Sequence, residues 1–556
     1  MKTHHLLFLA LGISGSTLSN AQTAFTTMDS IDINKLNATA LVHGDIWMDF
    51  TPATAPYGDY GCFFPNGTRK HLAIAGGLWL SGYDPGNNLH ISAAMYREPG
   101  NDYWPGPITS DTTTYATSTK WAKIWKVTRY QVQYFQSLAD LTPATVPADI
   151  LTWPGRGNTY ASGAGSAPLT VDSAMAPFVD LNMDGIYEPL EGEYPDFHGD
   201  EVLWWVFSDK GATHNETNGK PLGVEVHAMA YAYNRGTDID NVVYYNYKII
   251  NKSTTTYNNF RTAQFADLDL GQYNDDYIGI DTTRALGIIY NSTGSDGGGA
   301  SLPVPVGDYG DTIPVAGVTL FGQCASFTYF NNDFTIIGNP SADTEFNNYM
   351  RSRIRNGQHI TNDFTAPGTP SYAYNPGPDV NYVYTGDPSV DTQWSECAAA
   401  NAAGDRRFVI SSNDATLYPG GTADFNLALV TTDPSVNNGC PHVSFDSIKS
   451  IRDLAATIFD SPLPPPPAAV TNIVGSKGSI NIYPVPAHNM VNVALTGSVH
   501  GNGTITIYNT IGQPMLLQSV SGAGICKIDI STLPPGIYTV YYNSADGTSV
   551  SKLVKE

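Results

Sequence analysis

Basic side chains are scarce in this chain. Its 556 residues hold 28 lysines and arginines against 51 aspartates and glutamates, a formal charge of −23. A surface of that sign repels phosphate backbones, so nucleic-acid binding is excluded as a function class. Cysteine is nearly absent. Cys62, Cys324, Cys397, Cys440 and Cys526 are the whole set, and none stands at metal-ligand spacing from another. No apolar run approaches the roughly 20 residues needed to span a bilayer, which leaves the mature chain without a transmembrane segment. Missing too are the H-E-x-x-H zinc helix, the G-x-S-x-G nucleophile elbow, the P-loop and the G-x-G-x-x-G turn. Aromatics, by contrast, are plentiful. With 33 Tyr, 21 Phe and 9 Trp the chain is too apolar for disorder, and 53 Gly with 37 Pro favour turns between short strands over long helices.

The first residues read as a leader. Lys2 precedes the short apolar run Leu6–Ile13, and Ser19-Asn20-Ala21 supplies the small residues of a cleavage site after Ala21. Near the other end, Ser461-Pro-Leu-Pro-Pro-Pro-Pro467 can join neither a helix nor a sheet ladder and reads as a stiff spacer. Composition changes across it. Residues 475–556 carry four lysines against three acids, while residues 22–474 carry 23 basic against 48 acidic side chains, or −25. The expected organisation is a signal peptide (1–21), an N-terminal β-rich region (22–169), a β-sandwich-type body module (170–460), a Pro-rich linker (461–475) and a C-terminal domain (476–556). The expected fold class is all-β: a multi-domain antiparallel β-sandwich body with a few short helices, plus a small C-terminal seven-strand β-sandwich.

The tail carries the clearest pattern. Ser479–Tyr483, Met490–Thr496, Gly503–Tyr508, Pro514–Val520, Ile525–Ile530, Ile537–Tyr542 and Ser549–Val554 are seven short runs, most of them alternating apolar and polar residues between turn formers. Ile482-Tyr-Pro-Val-Pro-Ala487, Val491-Asn-Val493, Ile507-Tyr-Asn-Thr-Ile-Gly512, Ile528-Asp-Ile-Ser-Thr-Leu-Pro-Pro-Gly-Ile-Tyr-Thr-Val540 and Lys552-Leu-Val-Lys555 occur in order within them. In these motifs the tail resembles the type A C-terminal sorting domain of type IX secretion substrates from Bacteroidetes-type bacteria. The resemblance implies passage through the periplasm and then the outer membrane, with the type IX secretion machinery as partner. It places the product outside the cell or on its surface.

In the body, Leu72–Leu80, Val226–Tyr233, Val242–Ile250, Arg261–Phe265, Tyr277–Asp281 and Ala285–Tyr290 read as strands. Asp343–Asn356 and Ser447–Phe459 read as helices, the second with Asp446 as its N-cap. Asp184-Gly-Ile-Tyr-Glu-Pro189, Gly199-Asp-Glu-Val-Leu-Trp-Trp-Val-Phe207, Asp275-Asp-Tyr-Ile-Gly-Ile-Asp281 and Gly404-Asp-Arg-Arg407 resemble uncharacterised secreted proteins that share this tail, a likeness that transfers no catalytic residue.

Between Arg156 and Lys210 there are ten acids and no basic side chain. Within this stretch Asp180-Leu-Asn-Met-Asp-Gly185, five residues and then Glu191 fit the calcium-loop pattern D-x-[DN]-x-[DN]-G-x5-E. Asp180, Asn182 and Asp184 would supply side-chain oxygens, Ile186 its carbonyl, Glu188 a carboxylate directly or through water, and Glu191 a bidentate carboxylate. Pro189, Gly192 and Pro195 forbid an exit helix. The competing reading is an acidic turn held by Asp and Asn hydrogen bonds to the backbone. A second acidic group, Asp267, Asp269, Asp275, Asp276 and Asp281, has no standard spacing, and the flanking Arg261 and Arg284 offer it salt bridges.

Other chemical candidates are weaker. Asp196, His198 and Asp200 with His214 or His227 offer a metal set, although packed histidines are commoner. Trp204-Trp205 and Trp121/Trp125 offer sugar-stacking platforms, although strand alternation buries at least one of an adjacent pair. Two disulfides are expected among the four body cysteines, Cys397 with Cys440 first. Two function classes follow. One is a calcium-stabilised, non-enzymatic secreted or surface protein that binds a glycan or protein ligand. The other is a secreted hydrolase acting on glycans or peptides.

The routing expectation has a direct test. Deleting residues 476–556 should leave the chain in the periplasm, read by cell fractionation and immunoblotting. Wild-type levels of the truncated chain in the medium would overturn the assignment of the tail.

Overall fold

The computed structural model describes residues 25–50, 59–96, 100–109, 112–297, 307–436, 438–464, 478–497, 503–509, 514–520, 525–544 and 547–556. The leader (1–21) and the linker from Pro465 onward lie outside the described residues. Two compact units divide the chain, Met1–Pro464 and Pro465–Glu556. Among the described residues, no helix is long and apolar enough to cross a membrane.

The first unit is built on two large antiparallel sheets. One runs, in spatial order, through Met28–Ile31, Asn37–Leu41, Asp45–Ile46, His71–Tyr83, Tyr257–Leu268, Arg406–Ser412 and Cys324–Asn331. The other runs through Trp125–Thr128, Glu201–Ser208, Val224–Ala232, Val242–Asn251, Thr422–Thr431, Ala316–Leu320, Leu286–Asn291 and Asp276–Asp281. Residues on both sides of position 170 contribute to each sheet.

Strand alternation sorts the side chains into layers. In Glu201–Ser208 all eight residues are buried. Leu203, Trp205 and Phe207 share one apolar cluster with Ala38, Leu78, Leu80, Ala266 and Phe408 of the first sheet. Val202, Trp204 and Val206 face the other way, into a cluster closed by Val132, Phe135, Ile150, Ile448 and Ile451. The outward residues of the first sheet, Trp79, Phe265, Phe330 and Val409, lie under Phe346, Tyr349 and Met350. The result is two sheets face to face with thin helical covers outside each, which is why the strand reads as a continuous apolar run. Truncating a buried aromatic such as Trp205 to Ala costs about 3–5 kcal/mol.

The helices need adjusting against the sequence reading. The first ends at Tyr349, seven residues earlier than expected. The Asn348 carbonyl accepts from Arg351 and Arg353 N–H, Ser352 takes a left-handed conformation (φ 57°), and Arg353 bridges His359. Met350 and Ile354 are buried by this turn rather than by a helical stripe. The second helix spans Asp446–Asp460 with Ile448, Ile451, Ala455 and Ile458 inward. Asp446 is its first helical residue, and its N–H is accepted by Ser444 Oγ at 3.2 Å.

The second unit has seven strands among its described residues, in two sheets: Gly478–Tyr483, Met490–Gly497 and Ile525–Asp529; and Pro514–Val520, Gly503–Tyr508, Gly536–Ser544 and Gly547–Lys555. Ile505 and Ile507 share the buried face with Ile482, Val493, Ile528, Val540 and Leu553, while Lys527 and Asp529 are exposed. All-β sandwich architecture therefore describes both units.

Cys397 and Cys440 form a disulfide, and Cys62 and Cys324 are free. The expected second bridge is corrected by topology. Cys62 pairs beside Ala38 and Ala73 at one end of the first sheet, and Cys324 opens the last strand at the other. Three strand spacings of roughly 4.8 Å separate the His71–Tyr83 strand from that last one, beyond the roughly 7 Å Cα reach of a disulfide. Burial pushes the Cys324 thiol up to about 11 and that of Cys62 further still. Alkylation of the native chain should therefore modify Cys324 slowly and Cys62 only after unfolding, with Cys397 and Cys440 reacting after reduction. Peptide mass mapping reads all four, and a native Cys62–Cys324 crosslink would contradict the fold.

Candidate binding groove and cation loop

The loop Asp180–Glu193 is closed at its base by a two-stranded pair, Phe178–Val179 against Tyr194–Pro195. Glu193 is 1% exposed and ties the loop ends, accepting from Leu181 N–H at 2.9 Å and Glu188 N–H at 2.8 Å. Asp180 accepts from Met183 and Gly185 N–H at 2.7 and 2.8 Å, one on each carboxylate oxygen. Asn182 Oδ1 accepts from Asp184 N–H and Asp184 Oδ1 from Ile186 N–H. Gly185 has φ +74°, with only Arg156 Nη1 within 4 Å of the place a Cβ would occupy. Backbone conformation rather than space therefore demands glycine there.

Asn182 Nδ2 donates to Asp184 Oδ2 at 3.2 Å and Glu188 Oε2 at 3.1 Å, so these three side chains come together. Glu191 sits on the short 3-10 turn Pro189–Glu191, and no exit helix follows. Partial desolvation, and then the Glu191 carboxylate, raise Glu188 above its ordinary range. Ile186 is 39% exposed at the loop surface. The loop carboxylates do not gather as a trio within 4.8 Å of one another.

The histidines and tryptophans considered from sequence are structural. Both ring nitrogens of buried His214 lie against backbone carbonyls, Ile91 O at 3.0 Å and Asp209 O at 2.7 Å, so the ring is engaged by the main chain on both sides. His227 Nε2 is held by Glu225 Oε1 at 2.9 Å. Asp200 pairs with Arg235 at 2.8 Å. His198 packs edge-on to Tyr231, with Asp196 the acid that acts on it, and belongs to no trio of metal-type ligands among the described residues. Trp121, Trp125, Trp204 and Trp205 are all at most 5% exposed, so none is a stacking platform. The second acidic group is paired differently from the sequence expectation. Arg284 does hold Asp281 at 2.9 Å, but Arg261 holds Asp414, and Asp267 is held by Arg407.

A feature missed from sequence is a groove of about 850 Å³ lined by Arg261, Arg284, Arg351, Arg353 and Arg452. These are five of the thirteen arginines in a chain of charge −23. Asp414 lies between Arg261 and Arg351 at 2.8 and 2.7 Å. Arg284 is held by Asp281 and Asp453, and Arg452 lies 3.5 Å from Asp453. Arg353 is exposed, bonds the Gly357 carbonyl and has no acidic partner among the described residues. Four of the five guanidinium groups thus pair with three carboxylates, of which Asp414 lines the groove. Burial first, and then the neighbouring Arg351, lower the Arg261 pKa. Thr283, Gln323, Asn381 and Asn413 add neutral polar groups to the wall. The signal in the sequence was Arg351-x-Arg353-x-Arg355, basic residues alternating where basic residues are otherwise sparse.

Comparison with known proteins separates the two units. Residues 481–556 match the secretion system C-terminal sorting domain family. No curated protein matches the chain. Similar solved structures include a polysaccharide lyase (7% identity, TM-score 0.17, 68% of this chain and 38% of that one). They include dimeric latent PorU from Porphyromonas gingivalis (9%, 0.13, 64% and 31%). They also include the BSP domain of a biofilm-associated protein (11%, 0.14, 87% and 81%). The chain spans well under half the length of the first two, and likeness at these TM-scores carries neither fold nor activity across. The sorting-domain match agrees with the motif order and with the seven-strand second unit. The chain carries the tail of a type IX secretion substrate and is exported to the cell surface or the extracellular space.

Proposed function

We propose that the exported body is a calcium-stabilised binding protein without catalytic activity, and that its ligand is an acidic, uronate-bearing glycan held in the arginine groove. The observation that carries this reading is the excess of guanidinium groups in one concavity of an otherwise acidic chain. Guanidinium forks suit planar carboxylates bidentately, and a repeating uronate presents several in a row. Hydrolysis of a glycan would require two carboxylates flanking the bond at roughly 5–9.5 Å. The groove wall offers one, Asp414, and two arginines already hold it. The reading as a secreted hydrolase therefore has less support.

Calcium belongs to the proposal through Asp180, Asn182, Asp184, Ile186, Glu188 and Glu191. The left-handed Gly185 and the cap of Asp180 on its N–H support a preformed loop. Asn182 would turn its amide oxygen toward the ion in place of the nitrogen that now bridges Asp184 and Glu188.

For the groove, the full chain should bind polygalacturonate and not neutral dextran in isothermal titration, with affinity falling as salt rises. Arg353→Ala removes a groove cation that has no acidic partner among the described residues and should weaken binding about tenfold or more, as for a lost charge-assisted hydrogen bond. Unchanged affinity in that variant, or equal binding of dextran, would sink the groove assignment. Binding of a phosphorylated polymer in preference to the uronate would move the ligand to another class.

For the loop, equilibrium dialysis should find one calcium fewer per chain in the Asp180→Ala, Glu191→Ala double variant. With extracellular-type Kd values of roughly 10⁻⁴–10⁻³ M, millimolar calcium should stabilise this site by about 0.4–1.4 kcal/mol in a thermal melt, with magnesium a poor substitute. Equal stoichiometry in wild type and double variant would make the loop an acidic turn held by its own backbone.

A further inference from the structure

A separate acidic cluster lies inside the first sheet. Asp267 is near the end of strand Tyr257–Leu268, Asp269 follows it, and Asp405 precedes the neighbouring strand Arg406–Ser412. One carboxylate oxygen from each of the three lies within 4.8 Å of the other two. Asp267 is fully buried and Asp269 is 3% exposed.

Each carboxylate has one oxygen occupied. Asp267 Oδ2 accepts from the Tyr96 hydroxyl and lies 3.2 Å from Arg407 Nη2. Asp269 Oδ2 accepts from the Tyr60 hydroxyl at 3.0 Å. Asp405 Oδ1 accepts from Arg407 Nη1 at 2.7 Å. Oδ1 of Asp267 and Oδ1 of Asp269 are buried with no hydrogen-bond partner. An unpartnered buried carboxylate oxygen is among the costliest groups a fold can hold. Among the described residues Arg407 is the one cation paired with the trio, so three carboxylates against one guanidinium leave two negative charges. Asp276, 1% exposed and also with a buried, unpartnered Oδ1, lies near Asp269 and adds to that potential.

We infer that Asp267, Asp269 and Asp405 bind one divalent cation through the carboxylate oxygens that Tyr60, Tyr96 and Arg407 leave free. The uncompensated charge matches a doubly charged ion, and an all-oxygen, carboxylate-rich donor set fits calcium rather than zinc or copper. The competing way to relieve the repulsion is a proton. Burial, and then Asp267 and Asp405, push Asp269 well above the usual carboxylate range, so a protonated Asp269 is the alternative occupant. The site is independent of Asp180–Glu191 and does not rest on that loop binding metal.

The test compares the full wild-type chain with Asp269→Asn and Asp405→Asn, which keep shape and remove a charge. After dialysis against chelator and then calcium, bound calcium is counted by mass spectrometry, and melts are recorded in both buffers. Asp269→Asn should hold one calcium fewer than its parent, whether the parent is wild type or the Asp180→Ala, Glu191→Ala variant. It should melt above wild type in chelator, because repulsion is relieved, and below wild type in calcium. Asp405→Asn, at the less buried edge, should show the same reversal if Asp269→Asn does not fold. Equal calcium content in parent and variants, or Asn variants that melt higher in both buffers, would assign the cluster to a shared proton and overturn the cation site.

Discussion

The sheet that contains Glu201–Ser208 is covered on both faces, and the other elements of the body are arranged by that fact. Trp205 faces the first sheet and Trp204 the helical cover, so a single strand contributes to two cores. A strand with no polar face cannot lie at a surface, and it obliges the fold to supply layers on either side. The helix Asp446–Asp460 and residues between 129 and 197 cover one face, and the first sheet covers the other. Residues that looked like ligand platforms are consumed in this packing, which pushes any binding role to the ends and edges of the sheets.

Charge is distributed by the same logic. The few basic side chains are not spread evenly over the acidic body. Five arginines meet at one groove, and one, Arg407, stands among buried carboxylates. Both placements juxtapose groups that oppose folding when left alone: like-charged guanidinium groups in one, crowded carboxylates in the other. Each arrangement would be relieved by an occupant of opposite sign, an acidic ligand at the surface and a cation in the interior. The acidity of the body is a set of local imbalances rather than a uniform coating.

Much of this was legible in one dimension. Period-two alternation located most of the tail strands, alternation with β-branched and aromatic content located six of the body strands, and motif order identified the sorting domain, because these signals lie within short stretches of chain. The Cys397–Cys440 pairing also emerged from position along the chain. What sequence did not reveal depends on pairing between distant segments. The groove assembles from residues 261, 284, 351–353, 414 and 452, and Asp405 reaches Asp267 only because their strands are neighbours in the sheet. The helix from Asp343 stopped early because Ser352 adopts a left-handed turn, a choice that no periodicity records. For Trp204 and Trp205 alternation required at least one to be buried, since it assigns opposite faces but says nothing of what covers each.

The order of the strands along the chain has a temporal side. His71–Tyr83 awaits Tyr257–Leu268, which awaits Arg406–Ser412, and Val242–Asn251 awaits Thr422–Thr431. The partners that complete both sheets are thus almost the last body residues to arrive when a chain is threaded from its N-terminus. Pairings so remote in sequence close slowly, and until they close the waiting strands present open edges. The tail is built otherwise, with Gly478–Tyr483 beside Met490–Gly497, Gly503–Tyr508 beside Pro514–Val520 and Gly536–Ser544 beside Gly547–Lys555 as hairpin neighbours. Its remaining pairings, Met490–Gly497 with Ile525–Asp529 and Gly503–Tyr508 with Gly536–Ser544, join segments far nearer in sequence than those of the body, which favours early closure. The address of this protein can be readable while its cargo is still finding its last strands.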